Sequence, residues 1–228
     1  MNFTYLALGD SYTIGEQVAA VESFPYQTMQ LLRQSTNRAE RRQKRLMSPR
    51  AAVANPFGGW QISDPEIIAK NGWSTDELKA AIDTASTSKY YDIVSLLIGV
   101  NNQYRNISVS HFRTEFNQLL LRAIQFANDQ PHHVFVLSIP DWGVTPFAEG
   151  RNRLQIAREI DKYNAACKTM TEKSGCHFID ITSSQREDGN KADFLAADGL
   201  HPSAKEYAKW AVKLGEAIKR HIFLNDNG

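Results

Sequence analysis

A carboxylate and an imidazole stand three residues apart in Asp198-Gly199-Leu200-His201-Pro202. Three residues is close to one helical turn, so a tight bend can bring both side chains to one side. Asp198 can then accept the Nδ1 proton of His201 and fix the ring's tautomer, which leaves Nε2 free to take a proton from a nucleophile. A pentapeptide so rich in turn formers also reads as a polar bend before a helix, and by itself it favours that reading. The other end of the chain supplies the partner. Phe3 to Leu8 is apolar apart from Thr4, and Gly9-Asp10-Ser11-Tyr12 follows it. A glycine just past a strand lets the backbone turn sharply and presents Ser11 at the C-terminal edge of a sheet, where α/β proteins hold their ligands. Taken alone, the tetrapeptide fits an ordinary strand-to-loop turn equally well.

Between these ends the pattern alternates strand and helix. Phe3 to Leu8 is a buried parallel strand, and Ser23-Phe24-Pro25 opens a helix through Leu31 and Leu32. Glu66 to Lys70 gives a second strand. Asn71-Gly72-Trp73 is its exit loop, and Ser74-Thr75-Asp76-Glu77 is a capping box that starts a helix to about Ala85. Gly72 therefore lies where backbone N–H groups can face an anion, or marks a turn that needs positive φ. Asp92 to Ile98 is the strongest strand and ends in Gly99-Val100-Asn101-Asn102. There Asn101 is either an amide donor toward a ligand or a turn former. Phe112, Phe116, Leu119, Leu120, Ala123, Ile124 and Ala127 repeat at helical spacing and predict a helix packed on the sheet. Val134 to Leu137 is a fourth strand, followed by the loop Asp141 to Pro146. A helix from about Asn152 to Lys173 leads to a fifth strand, His177 to Ile181, and Ser203-Ala204-Lys205-Glu206 is a second capping box, opening a last helix to about His221. The sum is a three-layer α/β/α sandwich on a five-stranded parallel sheet, in one domain over residues 1–228.

Composition narrows the function. A hydrophobic share of 42% and a formal net charge of +1 give no overall bias toward nucleic acid or an acidic substrate. The six basic residues between Arg38 and Arg50, against Glu40 alone, could meet an anionic group but read first as a solvated helix end. Trp60, in the irregular stretch that follows, reads as core cover or pocket lining. No apolar run is long enough to span a membrane and no signal peptide opens the chain, so a soluble, cytoplasmic protein is expected. Cys167 and Cys176 lack a metal-type histidine pattern nearby and read as buried and reduced.

Gly9-Asp10-Ser11-Tyr12, Asn71-Gly72, Gly99-Val100-Asn101-Asn102 and Asp198-Gly199-Leu200-His201-Pro202 together resemble, in order and spacing, the four blocks of the SGNH (GDSL-type) hydrolases. The resemblance spans nearly the whole chain. It implies a flavodoxin-like sheet of strand order 2-1-3-4-5 and hydrolysis of carboxylic esters and thioesters with no metal or cofactor. By the same resemblance Ser11 is the nucleophile, His201 the general base and then acid, and Asp198 the orienting carboxylate. The oxyanion hole is the N–H groups of Ser11 and Gly72 with the Asn101 amide. A serine hydroxyl needs such a base, and a tetrahedral intermediate needs preorganised donors. Asn102 stands where the third block usually has aspartate, and Tyr12 where the first has leucine. Tyr12, Trp73, Tyr104 and Trp142 are the expected substrate-binding aromatics. Small bacterial esterase or lysophospholipase-like members are the nearest in character, with a carbohydrate O-deacetylase as the alternative. A non-catalytic binding module of the same fold stands against the intact Ser11, Asp198 and His201. A nucleotide binder would need the glycine-rich phosphate loop that is missing after the first strand.

Overall fold

The computed structural model describes residues 2–46, 61–85 and 89–223. Five parallel strands form the centre: β1 (Tyr5–Gly9), β2 (Glu66–Ala69), β3 (Ile93–Leu97), β4 (Val134–Leu137) and β5 (His177–Ile179), in the spatial order β2-β1-β3-β4-β5. This is the expected 2-1-3-4-5 arrangement. The parallel pair Asn2–Phe3 with Gln61–Ile62, which the sequence pattern did not indicate, adds a small second sheet. β1, β3 and β4 are buried along their whole length. Strands covered on both faces must be apolar throughout, which is why they read as continuous apolar runs.

The helices are α1 (Ser11–Ile14), α2 (Phe24–Leu46), α3 (Thr75–Thr84), α4 (Val100–Tyr104), α5 (Val109–Phe126), α6 (Arg153–Lys173), α7 (Thr182–Asp188) and α8 (Ala204–Ile218). α2 packs on α8 over one face of the sheet, while α3, α5 and α6 pack side by side over the other, giving three layers. α5 buries Phe112, Phe116, Leu119, Leu120 and Ala123, one stripe at helical spacing. α8 does the same with Tyr207, Trp210, Ala211, Leu214 and Ile218. Each such large apolar side chain, fully buried, contributes about 1.5–3 kcal/mol. Both cysteines are buried and unpaired. Among the described residues no helix is long and apolar enough to cross a membrane. The side chains of the basic stretch Arg38 to Arg50, and Trp60, lie outside the described residues.

The two capping boxes part company. At Ser74 the N–H donates to Glu77 Oε2 at 2.9 Å, as the box requires. At Ser203 the hydroxyl instead donates to the Asp193 carbonyl at 2.7 Å. Glu206 is buried and accepts from Trp210 Nε1 and Lys209 Nζ, both at 2.9 Å. A buried indole N–H needs an acceptor, and Glu206, one turn earlier, supplies it at the expense of the box. α1, α4 and α7, all seven residues or shorter, are further elements that the sequence pattern did not separate from loop.

Candidate active site

Strand register brings the first three blocks together. Gly9, Ala69 and Leu97 are neighbours at the C-terminal ends of β1, β2 and β3, with Gly9 paired to each of the other two. Ser11, Gly72 and Asn101 follow those residues by two, three and four positions and so emerge on the same rim. Gly9 is required by close approach, because a Cβ there would lie 2.1 Å from Thr13 Oγ1 and 2.4 Å from the Leu97 carbonyl. Asp10 caps α1 by accepting from Tyr12 N–H at 3.0 Å. Burial pushes its carboxyl up to about 7, against the opposing hydrogen bond from Tyr12. Ser11, the first residue of α1, is 4% exposed.

The turn before α8 carries the candidate base, His201. Asp198 Oδ1 accepts from the N–H groups of Leu200 and His201, each at 3.0 Å, and Oδ2 meets His201 Nδ1 at 2.6 Å. Burial alone would raise the Asp198 carboxyl. The hydrogen bonds from the His201 ring and the two N–H groups outweigh it, and its pKa ends below the ordinary carboxylate value. Tyr12 lies against the imidazole, its ring centroid 5.3 Å away, and Trp210 lies 6.2 Å beyond Tyr12. Among the described residues, neither Ser11 Oγ nor His201 Nε2 has a hydrogen-bond partner, and both residues line one cleft of about 180 Å³.

α4 holds the turn that carries Gly72. Asn101 Nδ2 donates to the Trp73 carbonyl at 2.9 Å, leaving its second N–H free. Asn102 Oδ1 accepts from Thr75 N–H at 3.1 Å while Nδ2 donates to Thr75 Oγ1 at 2.6 Å. Arg105 donates to the Gly72 carbonyl at 2.7 Å, and to Ser74 Oγ and Glu77 Oε2 at 2.9 Å. Three side chains within one turn of chain thus fix four successive residues, 72 to 75. Gly72 has φ of +82°, and a Cβ there would meet nothing within 4 Å, so backbone conformation rather than crowding calls for glycine. The Asn102 amide, where the third block usually has aspartate, serves the two ends of the Thr75 contact with one acceptor and one donor.

The cleft wall is Tyr12, Asn71, Val100, Asn101, Tyr104, Trp142, Phe147 and Leu200, with Ser11 and His201. Of the expected aromatics, Tyr12, Tyr104 and Trp142 are there. Trp73 is not: its ring packs partly buried against the core, and only its carbonyl serves the site through Asn101. Gly72 does not line the cleft itself, and its neighbour Asn71 does. Phe147, Asn71, Val100 and Leu200 went unread as wall residues in the sequence, although Val100 and Leu200 lie inside the last two blocks and Phe147 directly after the loop at Pro146. Phe147 is joined to the Asp198–His201 turn by its N–H, which donates to the Gly199 carbonyl at 3.1 Å. The arrangement offers a base, a hydroxyl and an amide donor around a small apolar-walled space, the parts needed for acyl transfer.

The profile of the GDSL-like lipase/acylhydrolase family matches residues 7–209, a span that includes all four blocks. No curated protein matches the chain. Among solved structures, TesA aligns with a TM-score of 0.64 at 14% identity, covering 96% of this chain and 99% of that one. The lipase/acylhydrolase from Enterococcus faecalis aligns at 0.63 and 18%, covering 96% of each chain. Axe2, an acetylxylan esterase from Geobacillus stearothermophilus, aligns at 0.63 and 17%, covering 96% of this chain and 94% of that one. At these identities the three likenesses show the fold.

Proposed function

Since the chain belongs to the GDSL-like lipase/acylhydrolase family and is a carboxylic ester hydrolase, we propose that it works through Ser11, His201 and Asp198 on short- to medium-chain acyl esters. The observation that carries this reading is the convergence on one cleft of an unpartnered Ser11 Oγ, an unpartnered His201 Nε2 and a half-free Asn101 amide. His201 Nε2 takes the Ser11 proton as Oγ attacks the ester carbonyl. The developing oxyanion is met by the N–H groups of Ser11 and Gly72 and by Asn101 Nδ2. His201 then hands its proton to the departing alkoxide, leaving Ser11 acylated, and a water activated by the same ring releases the acid. Asp198 holds the ring's tautomer and stabilises the imidazolium throughout.

The size of the cleft supports a short acyl chain. A cleft of about 180 Å³ is smaller than the about 300–1,000 Å³ of pockets for drug-sized ligands, and aromatic residues bound it. A carbohydrate O-acetyl ester is the second reading, because acetyl is the shortest chain the cleft would take and Axe2 is an acetylxylan esterase by name. The test is kcat/KM for p-nitrophenyl esters from acetate to palmitate, with an acetylated xylo-oligosaccharide and lysophosphatidylcholine alongside. Each methylene held in an apolar pocket adds up to about 0.8 kcal/mol, so a cleft of fixed depth gives a rise and then a plateau or fall. Activity still climbing at palmitate would sink the short-chain reading. Ser11→Ala should lose about four to six orders of magnitude in kcat and all labelling by a fluorophosphonate. Near-normal turnover in that variant removes Ser11 as the nucleophile.

A further inference from the structure

Arg151 stands over the aromatic wall of the cleft. Its guanidinium carbon is 5.2 Å from the centroid of Tyr104 and 5.5 Å from that of Trp142, both of which line the cleft. One Nη donates to Tyr104 Oη at 3.1 Å. The rings beneath it are themselves fixed. Trp142 Nε1 donates to Gln103 Oε1 at 2.7 Å, and Gln103 Nε2 donates to Glu159 Oε2 at 2.8 Å. Tyr104, Trp142 and Phe147 also contact one another, with centroids 5.4 to 6.4 Å apart.

Its charge balance differs from that of the arginines held in ion pairs. Arg33, Arg105 and Arg186 each hold a carboxylate within 4.0 Å. Among the described residues Arg151 has none, and its one side-chain hydrogen bond goes to a neutral phenol. Four of its five N–H donors are therefore uncommitted, in a planar fork that matches a carboxylate or phosphate. Cation–π contact keeps the group over the wall while leaving its charge uncancelled.

We propose that Arg151 is the anion-recognising residue of this cleft, and that the preferred ester carries a carboxylate or phosphate at the end that lies along Tyr104 and Trp142. The inference rests on the serine-hydrolase reading above and names the class of substrate for that site. It assigns Arg151 to substrate selection, with no part in the bond-making steps.

The experiment compares matched pairs of esters on wild type, Arg151→Ala, Arg151→Gln and Arg151→Lys. The pairs are 4-acetoxybenzoate with its methyl ester, 4-acetoxyphenyl phosphate with 4-methoxyphenyl acetate, and 4-nitrophenyl hemisuccinate with 4-nitrophenyl butyrate. The first two place carboxylate or phosphate on the leaving group, and the third places carboxylate on the acyl chain. Wild type should favour the charged member of at least one pair by about three- to tenfold in kcat/KM, mostly through KM. In 1 M NaCl, where the screening length is about 3 Å, the preference should shrink toward unity. Arg151→Ala and Arg151→Gln should lose it, and Arg151→Lys should keep part. A role confined to holding Tyr104 in place would slow both members of a pair alike and leave the ratio unchanged. Ratios in all three pairs that match wild type in both neutral variants, or that ignore salt, overturn the assignment while neutral-ester hydrolysis stays Ser11-dependent. Absence of Ser11-dependent hydrolysis for every ester in wild type overturns the underlying reading and this inference with it.

Discussion

Asn102→Asp restores the residue usual in the third block, and it should destabilise this protein. Asn102 is 1% exposed. Its Oδ1 must face Thr75 N–H, which can only donate, so Nδ2 must face Thr75 Oγ1. Thr75 has one hydroxyl proton and gives it to Glu115 Oε2. The other Glu115 oxygen meets His111 Nε2 at 3.0 Å. The donors therefore run one way, from Asn102 through Thr75 to Glu115. An aspartate keeps the bond from Thr75 N–H but offers a second acceptor where a donor stood. Thr75 then satisfies either the new carboxylate or Glu115, and one acceptor is left without a proton, at about 1–3 kcal/mol. Repulsion between the two carboxylates adds to this. A total of about 2–4 kcal/mol lowers Tm by roughly 5–15 °C in a chain of this size. Glu115→Gln alone costs little, because its amide oxygen still accepts from Thr75. Combined with Asn102→Asp, it lets the whole relay reverse: the new amide at position 115 donates to the Thr75 hydroxyl, and that hydroxyl donates to the new carboxylate at position 102. Thermal or urea unfolding of the four proteins should therefore give a favourable coupling of about 1–2 kcal/mol. An Asn102→Asp protein as stable as wild type, or strictly additive effects, would refute the directional relay.

Two further outcomes are expected. Asn101→Ala should lower kcat by about a hundred- to a thousandfold with little change in KM, and by more than Asn102→Asp does. The reverse ranking in steady-state kinetics would mean that the block is displaced by one residue. His177, stacked 3.7 Å from His221, has its pKa brought down to about 4 by burial and by the His221 charge. An unfolded histidine titrates near about 6.5, so the unfolded chain binds more protons between those values, and stability is lost as pH falls through that window. The full shift would amount to about 3 kcal/mol, reduced by solvent around a partly exposed ring to about 1–2 kcal/mol. His177→Phe should accordingly shrink the loss of Tm between about pH 7 and pH 4.5. Equal acid lability in variant and wild type would place the sensitive group elsewhere.

The parts of this fold that could be read from sequence are those where one physical demand dominates. β1, β3 and β4 are covered on both faces, so they had to be apolar throughout. The Asp198 turn could be read because a three-residue interval and a carboxylate that accepts from its own loop make a local structure. Where a local rule met a competing demand from burial, the local rule failed. Glu206 suits a capping box, yet the indole of Trp210 claims it. Trp73 looked like a wall residue because it follows Gly72, but the direction of an indole leaving a turn depends on what the core has room for. Phe147 and Arg151 come to the cleft only through the path of a loop, and no periodicity records that path.

The segment from Asp141 to Asn152 is anchored at both ends. Asp141 is fully buried, accepting from Gly143 N–H at 2.9 Å and pairing with Arg186 at 2.8 Å. Asn152 caps α6 by accepting from Gln155 N–H. Between the anchors lie Trp142 and Phe147, which line the cleft, and Arg151, which stands over its wall. The tie to the Asp198–His201 turn, Phe147 N–H to the Gly199 carbonyl, is a backbone bond that any residue except proline can make. Selection can thus rewrite the exposed side chains of this stretch, Phe147 and Arg151, while the Asp198–His201 turn keeps its tie. A lineage built this way changes its diet far more readily than its chemistry.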